Sequence, residues 1–167
     1  TRDQAKTFIY ALLYGAGDAK IGAVVNGSAK DGAQLRARFM ANMPAYKRLS
    51  EAVIHKGESV GKLKALDGRV LRVRSGHASL NTLIQGSSAV LMKKWFMYVD
   101  YHLRRRQADA KIVAMVHDEL VIESDAKDVD LAKDCVILSI RQTNKAYKLR
   151  CQLDCDVQIG NNWSEIH

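Results

Sequence analysis

Asp118 and Glu119 stand side by side in KIVAMVHDELVIES, the stretch from Lys111 to Ser124. They lie between two apolar runs, Ile112 to Val116 and Leu120 to Ile122. Both runs are rich in β-branched residues, so each is expected to form a buried strand, the two closing a hairpin with the acidic pair at its tip. Adjacent carboxylates repel, and burying them unpaired is costly. A carboxylate at such a tip suits Mg²⁺, which binds through one or two carboxylates plus substrate phosphates. Two-metal phosphoryl transfer needs carboxylates from more than one place, so that the ions sit about 3.5–4 Å apart. The same residues also fit an ordinary charged turn, against which the strongly apolar flanks argue.

Two further constellations have four-residue steps. Arg2, Lys6, Tyr10 and Tyr14 fall along one stripe of a helix, two cations followed by two aromatics. Cations beside the free N–H groups of a helix start attract phosphate, and a phosphate chain along Arg2 and Lys6 brings its sugar or base near Tyr10. The spacing equally fits an amphipathic helix with solvated cations and core tyrosines. His77, Asn81 and Gln85 repeat the step in SGHASLNTLIQG. Asn and Gln can donate to the acceptors that every base pair shows in the minor groove, which senses duplex geometry without reading sequence. A polar helix edge is the plainer alternative. Arg69, Arg72 and Arg74, just upstream, suit phosphate contacts. Arg104, Arg105 and Arg106 read as a solvated helix end.

The elements that must hold these residues can be read from periodicity and turn chemistry. Residues 2 to 14 predict a helix stopped at Gly15 to Gly17. A second helix is expected from Asp31 to Phe39, and Pro44 opens a third. Residues 57 to 68 are loop-like, with Asp67-Gly68 as a turn signal. Arg69 to Arg74 alternates as a half-exposed strand does, and Leu80 to Leu103 predicts a long, largely buried helix. After the hairpin, Asp125 to Leu149 is expected to be helical with Ser124 or Asp125 as N-cap, and residues 151 to 159 alternate like a strand. The implied fold class is α+β, with helices covering a small antiparallel sheet. The expected division is 1–56 and 57–167.

The chain has 167 residues, a hydrophobic fraction of 47% and a net charge of +8. It is long enough for a sizeable core, and its charge favours a polyanionic partner. No apolar run is long enough to span a membrane, so no membrane partner is expected. Its three cysteines form neither a disulfide framework nor a zinc pattern and read as buried thiols of a reducing cytosol. The chain begins at Thr1, so a larger reading frame or processing is expected.

Taken together, the motifs resemble the C-terminal part of a family A DNA polymerase, the DNA polymerase I type, and most of all the replicative polymerases of short-tailed phages. RDQAKTFIYALLYGAG resembles the family's fingers helix, with Arg2, Lys6, Tyr10, Tyr14 and Gly15 in place. SGHASLNTLIQG resembles the palm helix that tracks the primer–template minor groove, and MVHDEL the palm hairpin that bears a metal-binding aspartate. All three occur in family order. Ala11 departs from the glycine often found there and is expected to add a methyl near the nucleotide site.

The resemblance implies residues 1–56 as fingers and 57–167 as part of the palm. It implies transfer of a nucleotide from dNTP to a primer 3′-hydroxyl, with two Mg²⁺ ions. Asp118 would hold metal and Glu119 assist at the primer end. Arg2 and Lys6 would bind the triphosphate, with Lys6 also acting on the leaving pyrophosphate, and Tyr10 would pack on the incoming sugar and base. Tyr14 and Gly15 would lie near the templating base, and Arg74, His77, Asn81, Gln85 and His117 would contact DNA. The first palm aspartate, thumb and exonuclease of the family have no match here. The resemblance therefore implies an N-terminal polymerase portion as partner, in the same or a separate chain, and inactivity of this part alone. It implies a cytoplasmic setting, the host's if the protein is phage-encoded. A non-catalytic basic nucleic-acid-binding domain and a single-subunit RNA polymerase relative are the rival readings.

Overall fold

The computed structural model describes residues 1–166, so His167 lies outside the described residues. The chain forms two compact units, Thr1–Ser88 and one beginning at Ala89. The elements are α1 (Arg2–Leu13), α2 (Asp18–Ala23), α3 (Ala29–Asn42), α4 (Pro44–Val60), β1 (Lys62–Lys64), β2 (Val70–Arg72), α5 (Ser79–Arg105), β3 (Ala110–Val116), β4 (Glu119–Ser124) and α6 (Val129–Tyr147). Short 3₁₀ turns occupy Gly76–Ala78, Ala126–Asp128 and Trp163–Glu165. The α+β class expected from the sequence is the observed one.

In the first unit, Thr1 caps α1 through a reciprocal box with Gln4, which satisfies donors that a helix start leaves open. Ser28 and Asp31 do the same for α3, and hydrogen bonds from the Ser28 hydroxyl and backbone N–H hold the Asp31 carboxyl below its ordinary pKa. Phe8, Ala11 and Leu12 form the inner side of α1, packed with Ile21, Leu35, Phe39 and Met40. Arg36 ties the following turn down, donating to Asp18 at 2.7 Å and to the Ala16 carbonyl at 2.5 Å. A second cluster joins Val53 of α4, Leu63 of β1, Leu71 of β2 and Leu80 of α5. The strands β1 and β2 are antiparallel, with Leu63 opposite Leu71.

In the second unit, Trp95, Val99 and Leu103 of α5 pack with Ala132, Cys135, Val136 and Ile140 of α6. The Trp95 indole donates to the Val136 carbonyl at 3.2 Å, and buried His102 pairs with Gln142 at 2.8 Å. The β3–β4 hairpin lays Ala110, Ile112, Leu120 and Ile122 on this core. A register irregularity between Ile112 and Ala114 marks a bulge at Val113. Burial raises the pKa of the Cys135 and Cys155 thiols, the latter further raised by Asp154 and Asp156. Cys151, by contrast, is exposed.

Several expectations are corrected. The single sheet is two separate two-stranded sheets among the described residues. Residues 57 to 60 still belong to α4, which stops at left-handed Gly61, and α2 was not anticipated. The second helix starts at Ala29, earlier than Asp31, because Ser28 supplies its cap. α5 is buried on one side only: Ile84, Met97 and Tyr101 are exposed. The β3–β4 strands are half-exposed, since Val113, Met115 and Val116 face outward. Residues 151 to 159 form no strand. Their alternation reflects one-sided burial of Leu153, Cys155 and Val157. The backbone there is anchored by the Asn144 side chain, which bonds both the N–H and the carbonyl of Leu153 at 2.8 Å.

Gly32 sets the closest helix approach in the first unit. A methyl there would overlap the Asp18 carbonyl oxygen and press on the Gly22 backbone N, neither of which can rotate away. Gly32→Ala is therefore expected to destabilise the chain by about 1–3 kcal/mol, the usual range for overpacking. Urea unfolding checks this, and an unchanged midpoint would contradict the packing.

Candidate active site and nucleic-acid interface

α1 presents its four motif residues together. Packing of Phe8, Ala11 and Leu12 inward leaves Arg2, Lys6 and Tyr10 on the exposed side, with Tyr14 at the C-cap. Tyr10 is 57% and Tyr14 53% exposed, so neither is a core tyrosine. Their rings stack at 6.2 Å with an interplanar angle of 14°. Arg2 and Lys6 have no acidic partner among the described residues. The Ala11 methyl is buried in the core on the inner side of α1, three residues on from Phe8.

Gly15 follows with φ of +71°, and a methyl on it would overlap the His77 carbonyl oxygen. This close approach brings the end of α1 against the 3₁₀ turn that starts the polar stripe, and it needs glycine on both counts. Gly15 and His77 line one cavity of about 450 Å³, together with Arg36, Tyr46 and Ser50. His77 and Gln85 are exposed and Asn81 is half-buried. The Asn81 Oδ1 is buried without a hydrogen-bond partner among the described residues, which leaves its Nδ2 as the group able to donate outward. His77 lies in the 3₁₀ turn, outside the α-helix that carries Asn81 and Gln85. Arg74 is exposed just ahead of it.

In the second unit Val116 pairs with Glu119, so His117 and Asp118 are the two-residue hairpin tip. His117 has φ of +52°, a left-handed backbone at the position where such turns favour glycine. Asp118 is exposed with no partner among the described residues, whereas Glu119 is half-buried. The oxygen donors suit Mg²⁺. Among the described residues, no group of three or more His, Cys, Asp or Glu side chains is gathered. The hairpin thus fits as the contributor of a carboxylate to a metal site and not as the whole of one.

Sequence reasoning missed the exposed cations of β1, Lys62 and Lys64. The signal was present as a Lys-x-Lys step before the Asp67-Gly68 turn, but that segment read as loop.

These features are those of one polymerase family, and the chain belongs to it: the model of DNA polymerase family A matches residues 1–165. It is 37% identical over 174 residues to a DNA-directed DNA polymerase of Escherichia phage Phieco32 and 34% identical over 188 residues to that of Escherichia phage T7, in each case over 100% of this chain. It is 28% identical to DNA polymerase I of Aquifex aeolicus, over 98% of this chain and 30% of that protein. The chain spans 28% and 27% of the two phage polymerases, about a quarter of their length. Its fold is similar to the POL domain of Pol1 from M. smegmatis in complex with DNA primer-template and dNTP, with a TM-score of 0.79, 19% identity and coverage of 85% of this chain and 27% of that one. No helix among the described residues is long and apolar enough to cross a membrane.

The left-handed tip gives a stability test independent of activity. A left-handed backbone costs an ordinary residue about 1–2 kcal/mol, and β-branched residues tolerate it least. His117→Gly is expected to leave the thermal midpoint unchanged or higher, and His117→Val to lower it. Equal midpoints for the two variants would contradict the turn.

Proposed function

We propose that this chain is the fingers, residues 1–56, and part of the palm, residues 57–167, of a DNA-directed DNA polymerase working in the cytoplasm, the host's if the protein is phage-encoded. The observation that carries the reading is the α1 stripe: two unpaired cations and two stacked, exposed tyrosines in the family's order. Arg2 and Lys6 bind the triphosphate of an incoming dNTP, and Lys6 stabilises the leaving pyrophosphate. Tyr10 packs on the sugar and base. Tyr14 and Gly15 border the templating position, where Gly15 allows close backbone approach. Arg74, His77, Asn81 and Gln85 contact the primer–template, the last two by amide donation in the minor groove. His117 contacts the primer end, Asp118 binds metal, and Glu119 assists at the primer terminus. When bound, two Mg²⁺ ions stabilise charge on the attacking and leaving oxygens. The primer 3′-oxygen forms the new bond to the α-phosphorus, and pyrophosphate departs.

A second carboxylate-bearing segment completes this site, supplied by an N-terminal polymerase portion in the same or a separate chain. The 167-residue chain alone is inactive in this reading.

Asp118→Asn in the complete enzyme is expected to abolish primer extension while leaving primer–template affinity nearly intact, because the residue serves through charge on a metal. Single-turnover extension and filter binding measure the two. Retention of more than about a tenth of the rate, roughly 1.4 kcal/mol of barrier, would refute the assignment.

Tyr10→Phe tests the nucleotide side. The variant lacks one hydroxyl, and the resemblance implies that the substrate's own 3′-hydroxyl then supplies the missing hydrogen bond. A dideoxy substrate leaves that need unmet, at a cost of roughly 1–3 kcal/mol. The dideoxy-to-deoxy ratio of kcat/KM is expected to fall by about one to two powers of ten, with normal dNTP use little changed. An unchanged ratio would remove Tyr10 from the sugar.

A further inference from the structure

We infer that the outer face of the β1–β2 hairpin, carrying Lys62, Lys64 and Arg72, docks the phosphodiester backbone of a nucleic-acid strand. The inference rests on the polymerase reading and extends it to a surface outside the three motifs. The register sets Lys62 directly opposite Arg72 and Lys64 opposite Val70, while Leu63 and Leu71 form the inner pair. Alternation therefore puts Lys62, Lys64 and Arg72 together on the exposed face. Like charges directly opposite one another destabilise a sheet, and a hairpin with three-residue strands has little stability to spare.

None of the three cations has an acidic partner among the described residues. The neighbouring acids are placed elsewhere: Asp67 is paired with Arg69 at 2.7 Å, and the Glu58 carboxylate lies where a side chain on Gly76 would go. Other exposed cations, Lys47, Arg104 and Lys127, have found carboxylates. The hairpin thus keeps opposed like charges on its open face, a pattern that a polyanion relieves. Its second strand runs on through Arg74 to His77, so the surface is continuous in sequence with the proposed DNA contacts. Phosphate recognition of this kind positions a strand without reading its sequence.

The test uses the complete natural protein and measures primer–template affinity against salt concentration. The triple variant Lys62→Ala, Lys64→Ala, Arg72→Ala is compared with wild type and with a control triple on α6 and the 3₁₀ turn before it, Lys127→Ala, Lys133→Ala, Lys145→Ala. The magnitude of the log–log salt slope is expected to fall by roughly 2–3 in the hairpin variant, at about 0.7–0.9 per lost phosphate contact, equally for unrelated sequences. The control should keep its slope. The hairpin variant should melt no lower than wild type, since a repulsion has been removed. A short template overhang and a long one separate the sources: loss with both places the duplex on the face, and loss with the long overhang alone places the single-stranded template there. An unchanged slope overturns the inference, as does weakened capture of an acidic peptide with DNA binding unaltered. If wild type itself fails to bind primer–template, the polymerase reading falls. If wild type binds and extends but the variant shows the same slope, this inference alone falls.

Discussion

Phe8, Ala11 and Leu12 are pressed against Ile21, Leu35 and Phe39, and that contact decides which way every other residue of α1 points. Burying a large apolar side chain is worth about 1.5–3 kcal/mol, more than any exposed cation gains from its orientation. Turning the helix so that Thr7, Tyr10 and Ala11 took those places would lift Phe8 and Leu12 from the core and bring the Thr7 hydroxyl in. The stripe of Arg2, Lys6 and Tyr10 is therefore held by the opposite side of the helix. The Arg36 clamp on Ala16 and Asp18 fixes the turn that follows, and with it the approach of Gly15 to His77.

The second unit solves a different problem. A two-stranded hairpin is weak alone, and this one gains support by laying alternate residues on the α5–α6 core. The tip is then free to hold a strained residue. His117 accepts a backbone that glycine would adopt at less cost, and the two-residue turn keeps Asp118 in solvent while the adjoining Glu119 is half-buried. Strain of this sort persists only where the surrounding structure enforces it. Here the flanking ladder from Ala110–Ser124 to Val116–Glu119 does so.

Where one local signal controlled the outcome, the sequence was a good guide. The hairpin, the long α5, the strand around Val70 to Arg72 and the stop after α1 were all legible, because β-branched runs, Asp67-Gly68 and Gly15 act over a few residues. Side-chain placement in α1 was legible only in part: the spacing left open whether Tyr10 and Tyr14 lay in the core. β1 escaped notice because three residues, Lys62 to Lys64, form a strand only by virtue of a partner, and Leu63 alone marks the inner face. The segment 151 to 159 misled for the complementary reason. One-sided burial gives the same alternation whether or not a neighbouring strand exists. The capping box of Ser28 and Asp31 is plain in the sequence, yet the expected start at Asp31 falls two residues inside α3.

The Asn144 amide, which bonds both polar groups of Leu153, stands in for an absent neighbouring strand at a single residue. A ladder distributes its hold over many amides, so it frays gradually from an end. A hold through one side chain lets go as a unit. The stretch around Leu153 to Val157 is held to the α5–α6 core by the Asn144 amide and three half-buried side chains, few contacts of the kind that mark the low end of local stability. Losing the Asn144 bonds would free the seat of half-buried Cys155 together with that of Leu153.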